Sequence, residues 1–488
     1  MRRIFLVIGA AVGAALLSVV PVAPVTANVA LTRLSNDPYT NASSQHRTEV
    51  EPDIFAFGST VVSAFQVGRF TTGGSSNIGW ATSGDGGTTW KKGFLRGITT
   101  FAGGTYDRVS DPAVAYDAAH QVWLISSLAM RSSVGAGIVA SRSTNGGTAW
   151  GAPVTITQKS GVDKNWTVCD NTASSPFYGH CYTEWDDNGA GNIIYMSSST
   201  DGGLTWGPPK TTTNRATGIG GQPVVQASGT VIVPIDNVNE SAVQAFVSTN
   251  GGVSWSAPVN VATITDHSVS GNLRSGPLVS AQIDGAGKVY VTWHDCRFES
   301  SCNANDIVLS TSTDGLVWSG VTRIPSDPVG SGVDHFLPGI GVDPATSGST
   351  AHLALTYYFY PVSACSFTTC QLQVGFVSSA DGGVTWTAPK QLAGPMKLQW
   401  LPSTTEGYMV GDYIATTYSQ AKPRTSFAVA KVPDSNGLFH EAIYSPSVDL
   451  VVRGGAATAP AVSAASADAP RTARVANQAR ATVPLTSN

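Results

Sequence analysis

Acidic, basic and phenolic side chains recur at the starts of strand-like segments along this 488-residue chain. Acids and bases together can transfer protons, cationic groups can hold an anion, and a phenol can act as a nucleophile. If the fold brings such groups together on one face of the molecule, they could bind and cleave a glycan. The alternative is that they pair with one another and with exposed backbone. The candidates are Glu51, Asp53, Arg108, Asp111, Asp163, Lys164, Arg274, Asp334, His335, Asp412 and Tyr413.

Three of these places carry more specific hypotheses. Arg108 and Asp111 are three positions apart and could be an anion anchor with an acid, or a surface ion pair. Arg274 precedes a Ser-Gly-Pro sequence and could be a second anchor. Glu406 and Tyr413 fall in one short segment, where a glutamate could assist a tyrosine. The alternative there is a loop leading into a strand.

Metal and cofactor chemistry have little support in the sequence. No phosphate-binding glycine loop, Cys/His pair or Ser-His-Asp order is recognisable, and the Asp-Gly pairs do not make a full EF-hand loop. We therefore predict no cofactor and no metal ligand set, while a calcium ion at the centre of the fold stays open. Trp166, Trp185 and Trp400 could stack on sugar rings, although buried packing is the commoner role of tryptophan.

The elements that must position these residues are indicated by a pattern that recurs six times. It reads Ser or Thr, a spacer, Asp or Asn, one or two glycines, two residues and Trp, and successive Asp/Asn positions lie 60, 56, 49, 64 and 67 residues apart. Each copy joins two strand-like runs. This predicts a hairpin turn in which Asp or Asn binds backbone amides, glycines take positive φ and Trp begins the next strand. The copies are residues 83–90, 143–150, 199–206, 248–255, 312–318 and 378–386, the last with one extra residue after Ser378.

Three to four strands in each unit of about 50 to 65 residues are typical of a propeller blade. The predicted fold class is all-β, a single β-propeller with six or seven blades, seven being favoured. Residues 411–418 and 425–431 would be two strands of a seventh blade that lacks the turn pattern. Residues 28–35 would supply its outer strand, because ring closure usually uses strands from both chain ends.

Composition and charge argue against two broad classes of protein. Charged residues are 12% of the chain, the net charge is −4, and no dense Lys/Arg stripe favours nucleic-acid binding. The one long apolar run, residues 4–20, follows two arginines and precedes a small-residue cleavage pattern ending at Ala27. This is the plan of an export signal rather than an anchor helix. The predicted domains are the signal peptide 1–27, the propeller 28–452 and a disordered Ala/Pro/Thr-rich tail 453–488.

The six cysteines form three pairs that are close in sequence. Export would place them in an oxidising compartment, and short loops close most easily. Three local disulfides are favoured over a metal site, because there is no Cys-x-x-Cys pair and no histidine at zinc spacing. The predicted bridges are Cys169–Cys181, Cys296–Cys302 and Cys365–Cys370.

The six Trp-ended turns resemble the Asp-box (BNR) repeats of the sialidase superfamily, and the resemblance covers about residues 47–431. It implies a secreted bacterial propeller similar to exo-α-sialidases. In that family three arginines clamp the sugar carboxylate, a Glu-assisted Tyr is the nucleophile and an Asp is the acid/base. The family's first arginine lies in an aromatic-Arg-Ile-Pro motif near the first blade. The only Arg-Ile-Pro here begins at Arg323, where an outer strand is expected, so that role is not transferred.

The resemblance and the candidate residues together predict a secreted, monomeric glycoside hydrolase of sialidase type, releasing a terminal anionic sugar. The alternatives are a propeller that binds glycan or protein without catalysis, and a lyase acting on a uronic-acid polysaccharide. No nucleic acid and no stable membrane insertion are expected. The catalytic residues would be Asp111, Glu406 and Tyr413, and the substrate-binding residues would be Arg108, Asp163, Lys164, Arg274, Asp334 and His335.

Overall fold

The structure is a computed structural model that describes residues 28–454. Within these residues it contains thirty-one β-strands and six single-turn 3-10 helices, so the fold is all-β. No helix of the described chain is long and apolar enough to cross a bilayer. The predicted signal peptide 1–27 and all but the first two residues of the predicted tail lie outside the described residues.

Strand β1 (Leu31–Arg33) and twenty-eight of the thirty strands that follow it form seven antiparallel units, numbered here in chain order. Unit 1 contains β2 (Gln45–Phe57), β3 (Thr60–Arg69), β4 (Ser75–Ser83) and β5 (Lys91–Phe94). Unit 2 contains β6 (Arg108–Asp117), β7 (Val122–Arg131), β8 (Val134–Ser143) and β9 (Val154–Thr157). Unit 3 contains β10 (Val162–Cys169), β11 (Cys181–Asp187), β12 (Ile193–Ser199) and β13 (Lys210–Thr211).

The remaining units repeat the order, with small departures. Unit 4 contains β14 (Gly218–Ile219), β15 (Val224–Val225), β16 (Val231–Asn237), β17 (Ala242–Ser248) and β18 (Val259–Thr263), and unit 5 contains β19 (Ser280–Ile283), β20 (Val289–Asp295), β21 (Asp306–Ser312) and β22 (Thr322–Arg323). Unit 6 contains β23 (Asp334–Val342), β24 (Leu353–Tyr360), β25 (Gln371–Ser379) and β26 (Lys390–Lys397). A short hairpin of β27 (Ser403–Thr404) and β28 (Gly407–Tyr408) precedes unit 7, which contains β29 (Ala415–Ser419), β30 (Lys422–Lys431), β31 (His440–Pro446) and β1.

The first strand of each unit packs against the first strand of the next. Contacts run from β2 to β6, β10, β15, β19, β23 and β29, and β29 packs against β2 again. The hydrophobic core lies between neighbouring units, as in the cluster that joins Trp80 of unit 1 to Trp123 of unit 2. The first strands of neighbouring units therefore contact one another in a cycle, which brings residues far apart in sequence together.

The two ends of the described chain meet in unit 7, as the sequence predicts. Strand β1 pairs with β31 in antiparallel register, with Leu31 opposite Pro446 and Arg33 opposite Tyr444. Strand β31 itself has no counterpart in the sequence prediction, which placed only two strands between residues 411 and 431. Its sequence, HEAIYSP, carries no turn pattern that would mark it.

The recurring turns have the expected hydrogen bonds. In residues 199–206 the Asp201 carboxylate accepts from the backbone amides of Leu204 and Thr205 at 3.0 and 2.9 Å, and from the Ser199 hydroxyl at 2.8 Å. Gly202 and Gly203 have φ of 71° and 76°, the region that glycine tolerates best.

Two details of the turn prediction are wrong. All six tryptophans lie before the outer strand rather than in it; the indole of Trp386, for example, donates to the Gly383 carbonyl at 3.0 Å while β26 begins at Lys390. The sixth copy has no extra residue, because Ser379 rather than Ser378 bonds to Asp381, at 2.8 Å.

The first strands of units 4 and 5 are short, and each begins after a proline. Strand β15 begins at Val224, after Pro223, and β19 begins at Ser280, after Pro277. Proline has no N–H for a ladder hydrogen bond, so each proline delays the strand.

All three predicted disulfides are present: Cys169–Cys181, Cys296–Cys302 and Cys365–Cys370. The second closes the loop that follows β20, and the third closes the loop between β24 and β25. Arg297, in the second loop, pairs with Asp295, its Nη2 lying 2.7 Å from the carboxylate. That loop arginine is thus committed to a local ion pair.

Candidate functional site

Three first strands carry a charged residue at a β-bulge near their start. Glu51, Asp111 and Lys164 have φ of 53°, 48° and 37°, and each coincides with a register shift against the neighbouring strand. A left-handed backbone costs about 1–2 kcal/mol for a residue other than glycine. Bulges re-aim side chains, and here the three bulged residues meet in one cluster at the centre of the units.

The cluster is organised around Asp412, which lies just before β29. Arg274 binds this carboxylate through two nitrogens: Nε lies 2.6 Å from Oδ1, and Nη2 contacts Oδ2. The Lys164 ammonium group contacts Oδ2 as well. Asp412 therefore pairs with two cations, one from unit 3 and one from the segment before unit 5, and the planar guanidinium fork matches the carboxylate.

A second chain of hydrogen bonds joins the acids of units 1 and 2. The Gln66 amide contacts the Glu51 carboxylate and donates to the Ser110 hydroxyl at 3.0 Å. Ser110 in turn donates to Asp111 at 2.9 Å. Glu51 also accepts from the Asp412 backbone amide at 3.2 Å, which connects this chain to the cation cluster.

Burial and neighbouring charges separate the pKa values of these acids. Burial, followed by the charge of Asp412, raises the pKa of Glu51 to about 8. Burial also raises the pKa of Asp111. Burial opposes ionisation of Asp412, but Arg274 and Lys164 outweigh it and hold the Asp412 pKa well below its usual value. The cluster thus contains a permanent carboxylate beside Glu51, an acid that retains its proton near neutral pH, and beside Asp111, whose pKa is raised.

Tyr413 borders the same cluster, but it is not paired with Glu406. Its hydroxyl donates to the Pro112 carbonyl at 3.1 Å, and its ring meets that of Trp166 edge to face at 5.1 Å. Burial, then the charges of Glu51 and Asp111, raise the Tyr413 pKa well above its usual value. A phenol in this environment stays protonated and donates a hydrogen bond.

Glu406 lies at the tip of the β27–β28 hairpin and pairs with Arg274 instead. Its carboxylate is 2.7 Å from Arg274 Nη1, with 40% of the glutamate side chain and 20% of the arginine side chain exposed. The hairpin is fixed on both sides, because Arg274 donates its backbone amide to Tyr408 at 2.7 Å and Thr405 donates to the Thr71 carbonyl at 3.0 Å. The hairpin therefore connects unit 5 to unit 1, and Arg274 is the cation of the cluster that solvent reaches.

The space beside the cluster is small. The cavity lined by Asp111, Lys164, Trp166 and Tyr413 offers about 20 Å³ to the centres of water-sized molecules. That is room for about one ordered water. A sugar ring is too large to enter this cavity.

Asp163 and Arg108 lie at the edge of the site or beyond it. Asp163 is half-buried and accepts from the Lys164 backbone amide at 3.0 Å. Arg108 does not pair with Asp111. It donates to Thr72 and to the Gly73 carbonyl at 2.8 and 2.9 Å.

Asp334 and His335 belong to a different cluster, between units 5 and 6. Asp334 accepts from the Asn305 backbone and side chain, at 2.8 and 3.0 Å, and His335 lies 3.1 Å from the Ser326 hydroxyl. Together with Asp306 and Asp327, His335 has a spacing that suits a metal ion. The guanidinium of Arg323 already bridges those two carboxylates, at 2.6 and 2.5 Å, so the arginine supplies the cation.

Sequence reasoning missed two central residues, Gln66 and Arg69. Both come from β3, a middle strand, whereas the candidates were sought only at the starts of first strands. Arg69 is buried and donates to the Gly74 carbonyl at 2.8 Å. Burial lowers the pKa of Arg69, and the nearby charges of Glu51 and Arg274 also affect it. The sequence did contain a sign of the role of Gln66 and Arg69, because both are polar side chains within an otherwise apolar strand.

Comparisons with known proteins show likeness of fold. No family model matches this chain, and no curated protein matches it. Among solved structures, an ulvan lyase of polysaccharide lyase family PL25, in complex with a GlcA(1-4)Rha3S saccharide, is similar at a TM-score of 0.52 and 11% identity, over 87% of this chain and 97% of the lyase. At this identity the likeness concerns the fold alone.

Two sialidases have lower structural scores. The Hadza microbial sialidase Hz136 has a TM-score of 0.43 and 14% identity, over 82% of this chain and 66% of its own. NanB sialidase from Streptococcus pneumoniae has a TM-score of 0.42 and 16% identity, over 87% and 70%. This chain thus spans about two thirds of the length of these sialidases.

Proposed function

We propose that this chain is a secreted seven-bladed β-propeller that binds anionic glycans at the centre of one face, with Arg274 as the anchor and without cleaving them. The observation that carries the proposal is the pairing of Arg274. Two of its nitrogens hold the buried Asp412, and the third holds the half-exposed Glu406. A sugar carboxylate or sulfate can replace Glu406 at that nitrogen while Asp412 keeps the guanidinium in place.

Three features support the propeller. Six of the seven units have four antiparallel strands and unit 4 has five, their first strands contact one another in a cycle, and β1 completes the last unit. We assign the six Trp-ended turns as Asp-boxes on their shared hydrogen bonds. The ulvan lyase covers nearly the same length with the same fold class.

Secretion is supported by the cysteines. All six are paired, and disulfides are typical of oxidising compartments. The export signal predicted at residues 1–27 would place the protein there.

Binding is favoured over cleavage because the candidate site residues already have partners. Lys164 and Arg274 are paired with Asp412, Tyr413 donates to a backbone carbonyl, and the adjoining cavity has room for about one water. A nucleophile needs a free path to the reacting carbon at about 3–3.5 Å. Asp163, beside Lys164, would border the bound sugar.

Sialidase-type hydrolysis is the second candidate, favoured by one arrangement. Tyr413 lies among Glu51, Asp111 and Asp412, and two arginines and a lysine lie close by. In that reaction Asp111 would be the acid/base and Tyr413 the nucleophile. Glu51 would assist the tyrosine, since Glu406 is bound to Arg274. The β27–β28 hairpin would first have to move away.

A glycan array and a product assay test the proposal together. Wild-type protein is compared with Arg274→Lys, which keeps the charge but loses the fork, and with Arg453→Lys, an exposed control. We expect binding to sialylated, uronate-containing or sulfated glycans over neutral ones, weakened about tenfold or more by Arg274→Lys alone. Release of sialic acid or of an unsaturated product by the wild type would establish an enzyme. Equal binding by the Arg274 variant would overturn the assigned site.

A further inference from the structure

Beyond the Arg274 site, five residues of units 1 and 2 form a surface that we name the ledge: Phe70, Phe101, Tyr106, Arg108 and Arg131. Two of them are arginines stacked on aromatic rings. The Arg108 guanidinium lies 4.2 Å from the centre of the Phe70 ring, and that of Arg131 lies 5.0 Å from the centre of the Tyr106 ring. Phe101, 37% exposed, contacts Phe70 with ring centres 6.4 Å apart.

The two arginines are held but retain unused donors. Arg108 donates through Nη1 to Thr72 and Gly73, and exposed Arg131 donates through Nη1 to the Thr105 carbonyl at 3.1 Å. A guanidinium has five N–H donors, so most of each fork remains available for an anion. The acid beside them, Asp107, accepts from the Ser132 backbone amide at 2.7 Å.

The ledge is joined to the Arg274 site by direct contacts. Arg274 pairs with Glu406, whose neighbour Thr405 donates to the Thr71 carbonyl, and the adjacent Thr72 hydroxyl accepts from Arg108. The surface from Arg274 to Arg108 is thus continuous across the β27–β28 hairpin and the loop that follows β3. Cations are placed at both ends of this path, with an exposed aromatic ring beside the second.

We infer that the ledge is a second anchor for the same ligand, and that the ligand is therefore a polyanionic polysaccharide chain rather than a single terminal sugar. The inference rests on the proposed function. Aromatic faces stack on sugar rings, and guanidinium forks bind carboxylates or sulfates that repeat along the chain. Two linked contacts raise affinity well above that of either one, so a long polysaccharide should bind more tightly than a single sugar.

The test compares galacturonic acid with a long oligogalacturonide by titration calorimetry. The variants are Arg108→Ala/Arg131→Ala and Phe101→Ala, with Arg453→Ala and Phe57→Ala as controls of the same chemistry away from the ledge. Phe57 is 42% exposed. We expect the ledge variants to bind the long chain about tenfold or more weakly, to bind the monosaccharide as the parent does, and to unfold at the parent's temperature.

The outcomes separate the inference from the function on which it rests. If Arg274→Lys weakens both probes while the ledge variants bind the long chain normally, the ledge is no anchor and the proposed function stands. If the ledge variants lose the long chain while Arg274→Lys binds as the parent does, the assigned site at Arg274 fails. Equal binding of polyglutamate and oligogalacturonide would overturn the inference, because it would indicate an acidic protein as the partner.

Discussion

At the scale of single residues, the stability of the buried cluster depends on the pairing of its opposite charges. Asp412 contacts both Lys164 and Arg274, and removing one partner from a buried ion pair typically costs 3–5 kcal/mol. We predict that Asp412→Asn lowers the free energy of unfolding by about 3 kcal/mol or more in urea titrations at neutral pH. Asp449→Asn removes an acid that is 48% exposed beside Lys422 and should cost about 1 kcal/mol or less. Equal losses would contradict the central role of Asp412.

A second residue-scale prediction concerns pH. Burial raises the pKa of Glu49 to about 7, and Glu441 lies close by with its pKa raised by burial and then by the charge of Glu49. The folded state therefore binds more protons than the unfolded state between about pH 4.5 and 7, so stability falls as pH rises through that interval. Glu49→Gln cannot titrate. Its unfolding midpoint should fall less steeply there, and a parallel fall would contradict the assignment.

At the scale of elements, the hydrogen bonds of the Trp-ended turn indicate which substitutions it tolerates. Asp201 accepts from two amides and two hydroxyls, and Asn145 and Asn250 occupy the same place in other copies. We predict that Asp201→Ala costs about 1–2 kcal/mol of stability, while Asp201→Asn costs less than half of that. Thermal unfolding of the two variants side by side measures the difference. Equal losses would show that the carboxylate oxygens are not what fixes the turn.

The sequence predicted the turns, the disulfides and the strand that joins both chain ends, because each depends on local chemistry or chain closure. It did not predict which candidates meet. Bulges with left-handed residues turn Glu51, Asp111 and Lys164 to the centre, and no residue type marks a bulge of this kind. Arg108 shares its strand with Asp111 yet contacts Phe70, and Glu406 bonds across the molecule to Arg274 rather than to Tyr413.

At the scale of the whole molecule, β1 closes the arrangement of units. Leu34 is fully buried, and the Ser35 hydroxyl donates to Glu49 at 2.6 Å. We predict that a chain beginning at residue 36 loses roughly 3–5 kcal/mol of stability, from the lost apolar burial and the lost charged hydrogen bond. Urea unfolding measures this loss. Val432→Ala, at a side chain that is 65% exposed, should unfold like the parent. A truncated chain as stable as the parent would contradict closure by β1.

The proposed role of the whole molecule depends on one contact between Arg274 and a ligand anion. A crystal structure of the protein with a bound oligogalacturonide tests it most directly. The account predicts a sugar carboxylate at Arg274 Nη1 in place of Glu406, with Asp412 still bound to the other two nitrogens and every glycosidic bond intact. A saccharide bound among the Trp-ended turns, or a cleaved sugar beside Tyr413, would contradict it.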